Sequence, residues 1–286
     1  ADACGLLVGW AARIPAITWN IRCSNMGKKY RSGGKGILLR LLAWFSKFPD
    51  VVVANSYAGQ KEHSLMGYKA RRWKVLQNGF DLEIFKPDPD ARVELRNELK
   101  LNADVVIIGL VARYDPLKDH QGFLNAAAEL LSTDSDIHFV LAGGGIDAEN
   151  DALNTIIEKL GIRERIHLMG RRDDVHKLTA GLDIATCCSL SEGFPNVIGE
   201  AMACAIPCVV TDVGDAAHIV EDTGIIVAPA DTQALAQGWR TLIDLGSIGR
   251  AEMGRQALGR IERHFSLTRC IERYQEFYQE LTDHAS

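Results

Sequence analysis

The sequence predicts an α/β protein of two doubly wound domains, the first of them incomplete. Short β-branched runs alternate with helical patterns along the chain, the arrangement of parallel sheets covered by helices on both faces. The 286 residues, 47% of them hydrophobic, suffice for two cores, since domains hold about 100–200 residues each. A proline-bearing stretch at 85–91 separates three strand candidates from six.

The first three strand candidates are Pro15–Trp19, Val51–Asn55 and Lys74–Gln77. The next six are Val105–Val111, His138–Ala142, Ile166–Met169, Ile184–Cys188, Pro207–Val210 and Ile225–Val227. Helical patterns fit 36–48, 57–66, 119–132, 148–160, 196–204, 231–245, 250–264 and 267–281, several opening near Ser, Asp or Asn caps. The run Phe85–Lys–Pro–Asp–Pro–Asp–Ala91 has two prolines and no periodicity, as a linker does. We therefore divide the chain into a first domain over 1–87, a second over 88–265, and a C-terminal helix over 266–286 that packs back on the first. Six strands complete a doubly wound domain and three do not. With Ala at position 1, the expectation is a chain that begins inside its first domain.

Composition narrows the function classes. No stretch reaches the ~20 apolar residues of a membrane span, and the start lacks the pattern of a secretory signal. The seven cysteines form no CxxC pair, so a reduced, cytoplasmic protein without structural zinc is expected. DPD at 88–90 and DSD at 134–136 read as chance matches to a metal-binding DxD pair. Charge is divided: residues 1–87 carry 14 lysines and arginines against 5 carboxylates, whereas 88–286 carry 18 against 32. A basic first domain suits an anionic membrane surface or an anionic acceptor, a solvated lysine face being the plainer reading. The apolar pattern 36–48 is that of a buried helix, although Lys35, Arg40 and Lys47 beside it also suit a membrane-facing one. No nucleic-acid partner is expected.

The segment after strand candidate Ile184–Cys188 carries the chemistry. Ser189, Leu190 and Ser191 leave the strand, Glu192 and Gly193 turn, and Pro195 or Asn196 opens a helix through Glu200. Ligands of doubly wound sheets bind beyond the carboxyl ends of the strands. Amides of Phe194, Asn196 and Val197 at a helix start can donate to phosphate or sugar oxygens. Glu192 and Glu200 can each accept from a pair of hydroxyls, though glutamates near a helix start can also serve only the helix dipole. Arg113 and Lys118 follow a buried strand, where two cations can neutralise a diphosphate. Gly143, Gly144 and Gly145 give a ligand access to backbone.

The run SLSEGFPNVIGEAMACAIPCVVTDVGD, residues 189–215, resembles the donor-site signature of glycosyltransferase family 4, a retaining family with the GT-B fold of two Rossmann-like domains. GLVARYDPLKDH, FVLAGGG, HLMGRRDDV, NSYAGQKEHSLMGY and VLQNGFDLEIFKP extend the likeness over nearly the whole chain. The resemblance implies transfer of a sugar from a nucleotide-diphosphate donor, UDP more commonly than GDP, to a hydroxyl acceptor, with retention and without metal or other cofactor. It assigns Arg113, Lys118 and Glu192 to catalysis, and Gly144, Gly145, Arg171, Phe194, Pro195, Asn196, Val197 and Glu200 to the donor. An early glycine-rich loop is absent, Asn20–Arg22 stand where relatives place a histidine, and His218 stands where they place glutamate. The acceptor is unnamed; a lipid-linked or polysaccharide glycan and a soluble one are both open. The competing readings are an epimerase or phosphorylase of the same architecture and a non-catalytic nucleotide-sugar-binding module. A nicotinamide dehydrogenase is disfavoured, because no strand is followed by GxGxxG.

Overall fold

The computed structural model describes residues 2–22, 33–133 and 136–285. Cys23, the side chain of Lys35 and most of DSD 134–136 lie outside the described residues. Two compact units form: residues 1–79 with 192–194 and 267–286, and residues 80–191 with 195–266.

In the first unit, α1 (Asp2–Ala11), β1 (Thr18–Ile21), α2 (Gly33–Phe45), β2 (Val51–Ala54), α3 (Tyr57–Leu65) and β3 (Trp73–Val75) follow in order. The strands pair in parallel as β1-β2-β3, with Thr18 opposite Val51 and Val52 opposite Trp73. Side chains alternate across a strand, and each face of β2 accordingly has its own core. Val52 packs with Leu6, Trp19, Ile21, Ala43 and Tyr68, while Val51 and Val53 pack with Leu76 and Phe277. Phe277 belongs to α12 (Leu267–Ala285), which is also held to this unit by Arg72 and Glu280, 2.6 Å apart.

The second unit contains α4 (Pro89–Leu99), β4 (Val106–Val111), α5 (His120–Leu131), β5 (Ile137–Ala142), α6 (Asp151–Leu160), β6 (Ile166–Leu168) and α7 (Val175–Ala180). Then come β7 (Ile184–Cys187), α8 (Asn196–Ala203), β8 (Cys208–Thr211), α9 (Ala216–Val220), β9 (Ile225–Val227), α10 (Thr232–Asp244) and α11 (Gly246–His264). Six parallel strands lie in the order β6-β5-β4-β7-β8-β9. The direction of winding reverses between β4 and β7, the switch point at which such sheets open a crevice. Phe123, Phe139 and Trp239 meet on one side of the sheet with centroids 5.1 to 5.8 Å apart. The buried Trp239 indole donates to Thr186 Oγ1 at 2.9 Å, so its polar edge is satisfied.

All nine strand candidates form, their ends displaced by no more than three residues. Four helices escape the sequence reading: α1, α4, α7 and α9. The last two have 6 and 5 residues, too few for a 3.6-residue period to register. The α4 helix corrects the linker reading, because the proline stretch runs into its first turn. Pro89 occupies a position where no N–H is needed, and Asp88 caps the amides of Asp90 and Ala91 at 3.0 and 3.1 Å. The DPD carboxylate Asp88 is thus committed to a helix start. The compact units divide between Gly79 and Phe80 rather than at Pro87. Phe80 is fixed within the second unit by its N–H to the Phe265 carbonyl, 2.8 Å.

Candidate functional site: joined loops at the switch point

Loops from the carboxyl ends of β4, β5, β6 and β7 are sewn together by backbone hydrogen bonds. The Leu190 N–H donates to the Leu117 carbonyl at 2.8 Å, joining the loop after β7 to that after β4. Cys188 Sγ lies 3.3 Å from the Lys118 carbonyl and 3.6 Å from that of Asp119. Tyr114 N–H donates to the Gly144 carbonyl at 2.8 Å, and Gly143 N–H to the Gly170 carbonyl at 2.8 Å. Burial raises the Cys188 thiol well above its ordinary pKa, so it is a neutral packing group and not a nucleophile.

Glycine at 143 is dictated by two constraints. Its φ is 149°, and a Cβ there would collide with the Ala112 carbonyl. Gly145 has φ 76°, while Gly144 faces open space. The glycine run therefore keeps the sheet's carboxyl edge free of side chains beside Arg113 and Tyr114.

Arg113 is 71% exposed and reaches Asp115 Oδ2 through Nε at 3.3 Å and Nη2 at 3.0 Å. Asp115 Oδ1 also accepts from the Leu117 N–H at 2.9 Å, opening a 3-10 turn over Pro116–Lys118. That backbone bond, then Arg113, holds the Asp115 carboxyl below its usual pKa. Asp119, at φ 50°, caps α5 through Gly122 N–H at 3.0 Å. The two aspartates thereby fix the turn on which Lys118 is carried. They are the positioning residues that sequence reading missed; the proline and the spacing of caps in DPLKDH were the available signal. His120, buried in the same turn, has its pKa pulled down to about 4 by desolvation, which the Ala112 carbonyl opposes.

The α8 helix begins at Asn196 with Pro195 as N-cap and no side-chain cap. Its Ile198 N–H donates to the Pro195 carbonyl at 3.2 Å. Pro195 has no N–H, so it can shape this helix start but cannot donate from its backbone. Glu200 lies on α8, partly buried, and its carboxylate accepts no hydrogen bond from any described residue; desolvation raises its pKa. It borders a small void together with Val197, Thr179 and Gly109. The structure thus brings Arg113, Lys118, Gly144, Gly145, Val197 and Glu200 into one unit, at loops or helices that follow the carboxyl ends of the strands. Glu192 and Phe194 fall in the other compact unit. Arg171 is exposed in the loop after β6, whereas its neighbour Arg172 is committed to Asp174 and Glu98 at 2.6 to 2.8 Å. Gly199 is structural: a Cβ there would overlap the Phe80 ring.

Residues 105–244, which hold this cradle, match the family model of glycosyl transferases group 1. That segment belongs to the family. The chain's described strands superpose on GT-B glycosyltransferases. HepE of Anabaena, solved with UDP, aligns at a TM-score of 0.85 and 25% identity over 96% of this chain and 75% of that one. The same protein with UDP-glucose gives 0.83 and 26%, over 97% and 76%. Among curated relatives, the chain is 26% identical to the N-acetyl-alpha-D-glucosaminyl L-malate synthase of Bacillus anthracis, over 81% of this chain and 60% of the relative. It is 31% identical to the D-inositol 3-phosphate glycosyltransferase of Mycobacterium sp. (strain KMS), over 73% and 47%. The chain spans about half the length of the curated relatives it matches.

Proposed function

We propose that this chain binds a UDP-sugar and transfers its sugar to a hydroxyl acceptor with retention at the anomeric carbon. The observation that carries the reading is the sewn cradle, in which Lys118 and Arg113 stand on a turn fixed by Asp115 and Asp119. Two cations held there can offset charge as it develops on a departing diphosphate. The leaving oxygen itself can take the proton of the incoming hydroxyl, so no protein nucleophile is needed. Glu192 would grip the sugar hydroxyls, Glu200 the ribose, and the amides near Phe194–Val197 the sugar and phosphate oxygens. Gly144, Gly145 and Arg171 would line the nucleotide. HepE, 25 to 26% identical, was solved with UDP and with UDP-glucose, which supports UDP as the base-bearing partner.

No metal or cofactor enters this scheme, because the arginine and the lysine supply the positive charge. Transfer from a UDP-sugar should therefore persist in excess EDTA, and loss of turnover on chelation would contradict it. Proton NMR of the glycoside should show the donor's anomeric configuration; an inverted product would overturn retention.

A lipid-linked or polysaccharide acceptor, met at an anionic membrane face, is our reading of the basic first unit. Exposed Trp10 and Trp44 both edge onto Phe48, at 5.4 and 5.3 Å, with the Lys47 ammonium 4.3 Å from the Trp44 centroid. Tryptophan beside a cation suits a headgroup boundary. Among the described residues no helix is long and apolar enough to cross a membrane.

A further inference from the structure

At the amino ends of β7 and β8, opposite the cradle, the second unit has a cavity of about 670 Å³. Arg92, Arg250 and Arg255 line it with two carboxylates, Asp88 and Asp183; Asp88 caps the start of α4, and Arg255 pairs with Glu252. Asp183 is already saturated: it pairs with Arg92, with Arg96 at 2.5 Å, and with the Ile107 N–H at 2.8 Å. Arg96 is saturated too, donating to the carbonyls of Ala103, Arg92, Gly181 and Val105. Arg250 is not. It is 91% buried, 9% remaining exposed, yet only its Nη1 donates, at 3.4 and 3.3 Å to the carbonyls of Leu242 and Ile243. Its Nε and Nη2 donate to no described residue.

These two nitrogens are not sealed from solvent, so an oxyanion entering the cavity can accept from them. Burial and the nearby Arg92 both push the Arg250 pKa down, so Asp183 does not fully offset the crowding of cations. Ser247, on the same wall, lies in the first turn of α11, a 19-residue helix with no side-chain cap. Its amide end adds partial positive charge. The remaining wall is largely apolar, including Leu182, Ile206 and Leu258.

We propose that this cavity is a second binding site, for a small molecule that carries an oxyanion, phosphate or carboxylate, on an apolar body. The oxyanion sits against Arg250, Arg255 and the first turn of α11, and the body against Leu258 and Ile206. The site is independent of the donor reading, lying at the other end of the strands.

Phenyl phosphate is the probe, titrated by calorimetry and by thermal shift into an Arg113→Ala/Lys118→Ala background, which silences the cradle. The background protein should bind it, gain thermal stability, and prefer it to inorganic phosphate. Benzoate should compete for the site. Arg250→Met should weaken binding about tenfold or more, equivalent to ~1.4 kcal/mol. Should Arg250→Met fail to fold, Arg255→Glu, on a side chain 70% exposed, gives the same readout by reversing charge at the mouth. Absence of binding in the background protein, or equal affinity in both variants, would overturn the site. Equal affinity for phenyl and inorganic phosphate would overturn the apolar half of it.

Discussion

Glu200 sets binding against stability in a single side chain. Its pKa is raised by desolvation, so the folded protein holds the proton more tightly than the unfolded chain does. The sign follows: its effect on stability is neutral below the unfolded pKa and becomes a cost as pH rises through the raised folded pKa. The cost accumulates between the unfolded value and the raised folded one and is complete above the latter. Glu200→Gln should therefore raise the melting temperature at neutral pH while weakening UDP binding, since an amide offers one acceptor where the carboxylate offers two. Parallel thermal melts and calorimetry check this; a lower melting temperature with unchanged UDP affinity would contradict both halves. The residue type of Glu200 was readable from the EGFPNVIGE spacing. Its desolvation was not, because that depends on Val197, Thr179 and Gly109 converging from three separate elements.

Elements repeat the lesson at larger scale. The nine strands were legible because consecutive buried residues, such as Val51–Ala54 and Ile137–Ala142, leave apolar runs that no amphipathic helix would produce. The α4 helix was hidden by its own start signal, as two prolines and three acidic or basic neighbours read as linker until Asp88 is seen to cap it. Gly199 sits in α8 facing Phe80, with no room for a methyl group. Gly199→Ala should cost about 1–3 kcal/mol by overpacking, more than any gain in helix propensity. Urea denaturation measures it, and an unchanged midpoint would show that the contact yields. On α1, α2 and the turn after it, the cluster of Trp10, Trp44 and Lys47 predicts sedimentation with phosphatidylglycerol vesicles and not with phosphatidylcholine ones. Trp44→Ser with Lys47→Glu should abolish it; equal recovery with both lipids would argue against an anionic membrane face.

Across the second unit, strength is concentrated where α4 is pinned to the start of β7. Arg96 and Asp183 are 5% and 6% exposed, and Asp183 also ties in Arg92 and the Ile107 amide of β4. Removing one member of a buried pair strands the other charge, so Asp183→Ala should destabilise by about 3–5 kcal/mol, read from urea midpoints. None of this was visible in the sequence, where Asp183 is a lone carboxylate before a strand. The same sheet carries the cradle at its opposite end, and the cradle is what the functional reading stands on. The most direct test is a calorimetric titration of UDP into the chain and into its Lys118→Ala variant. The account predicts one site, with affinity reduced at least about tenfold in the variant, a loss of ~1.4 kcal/mol. Failure of the parent to bind UDP, or equal affinity in the two proteins, would contradict it.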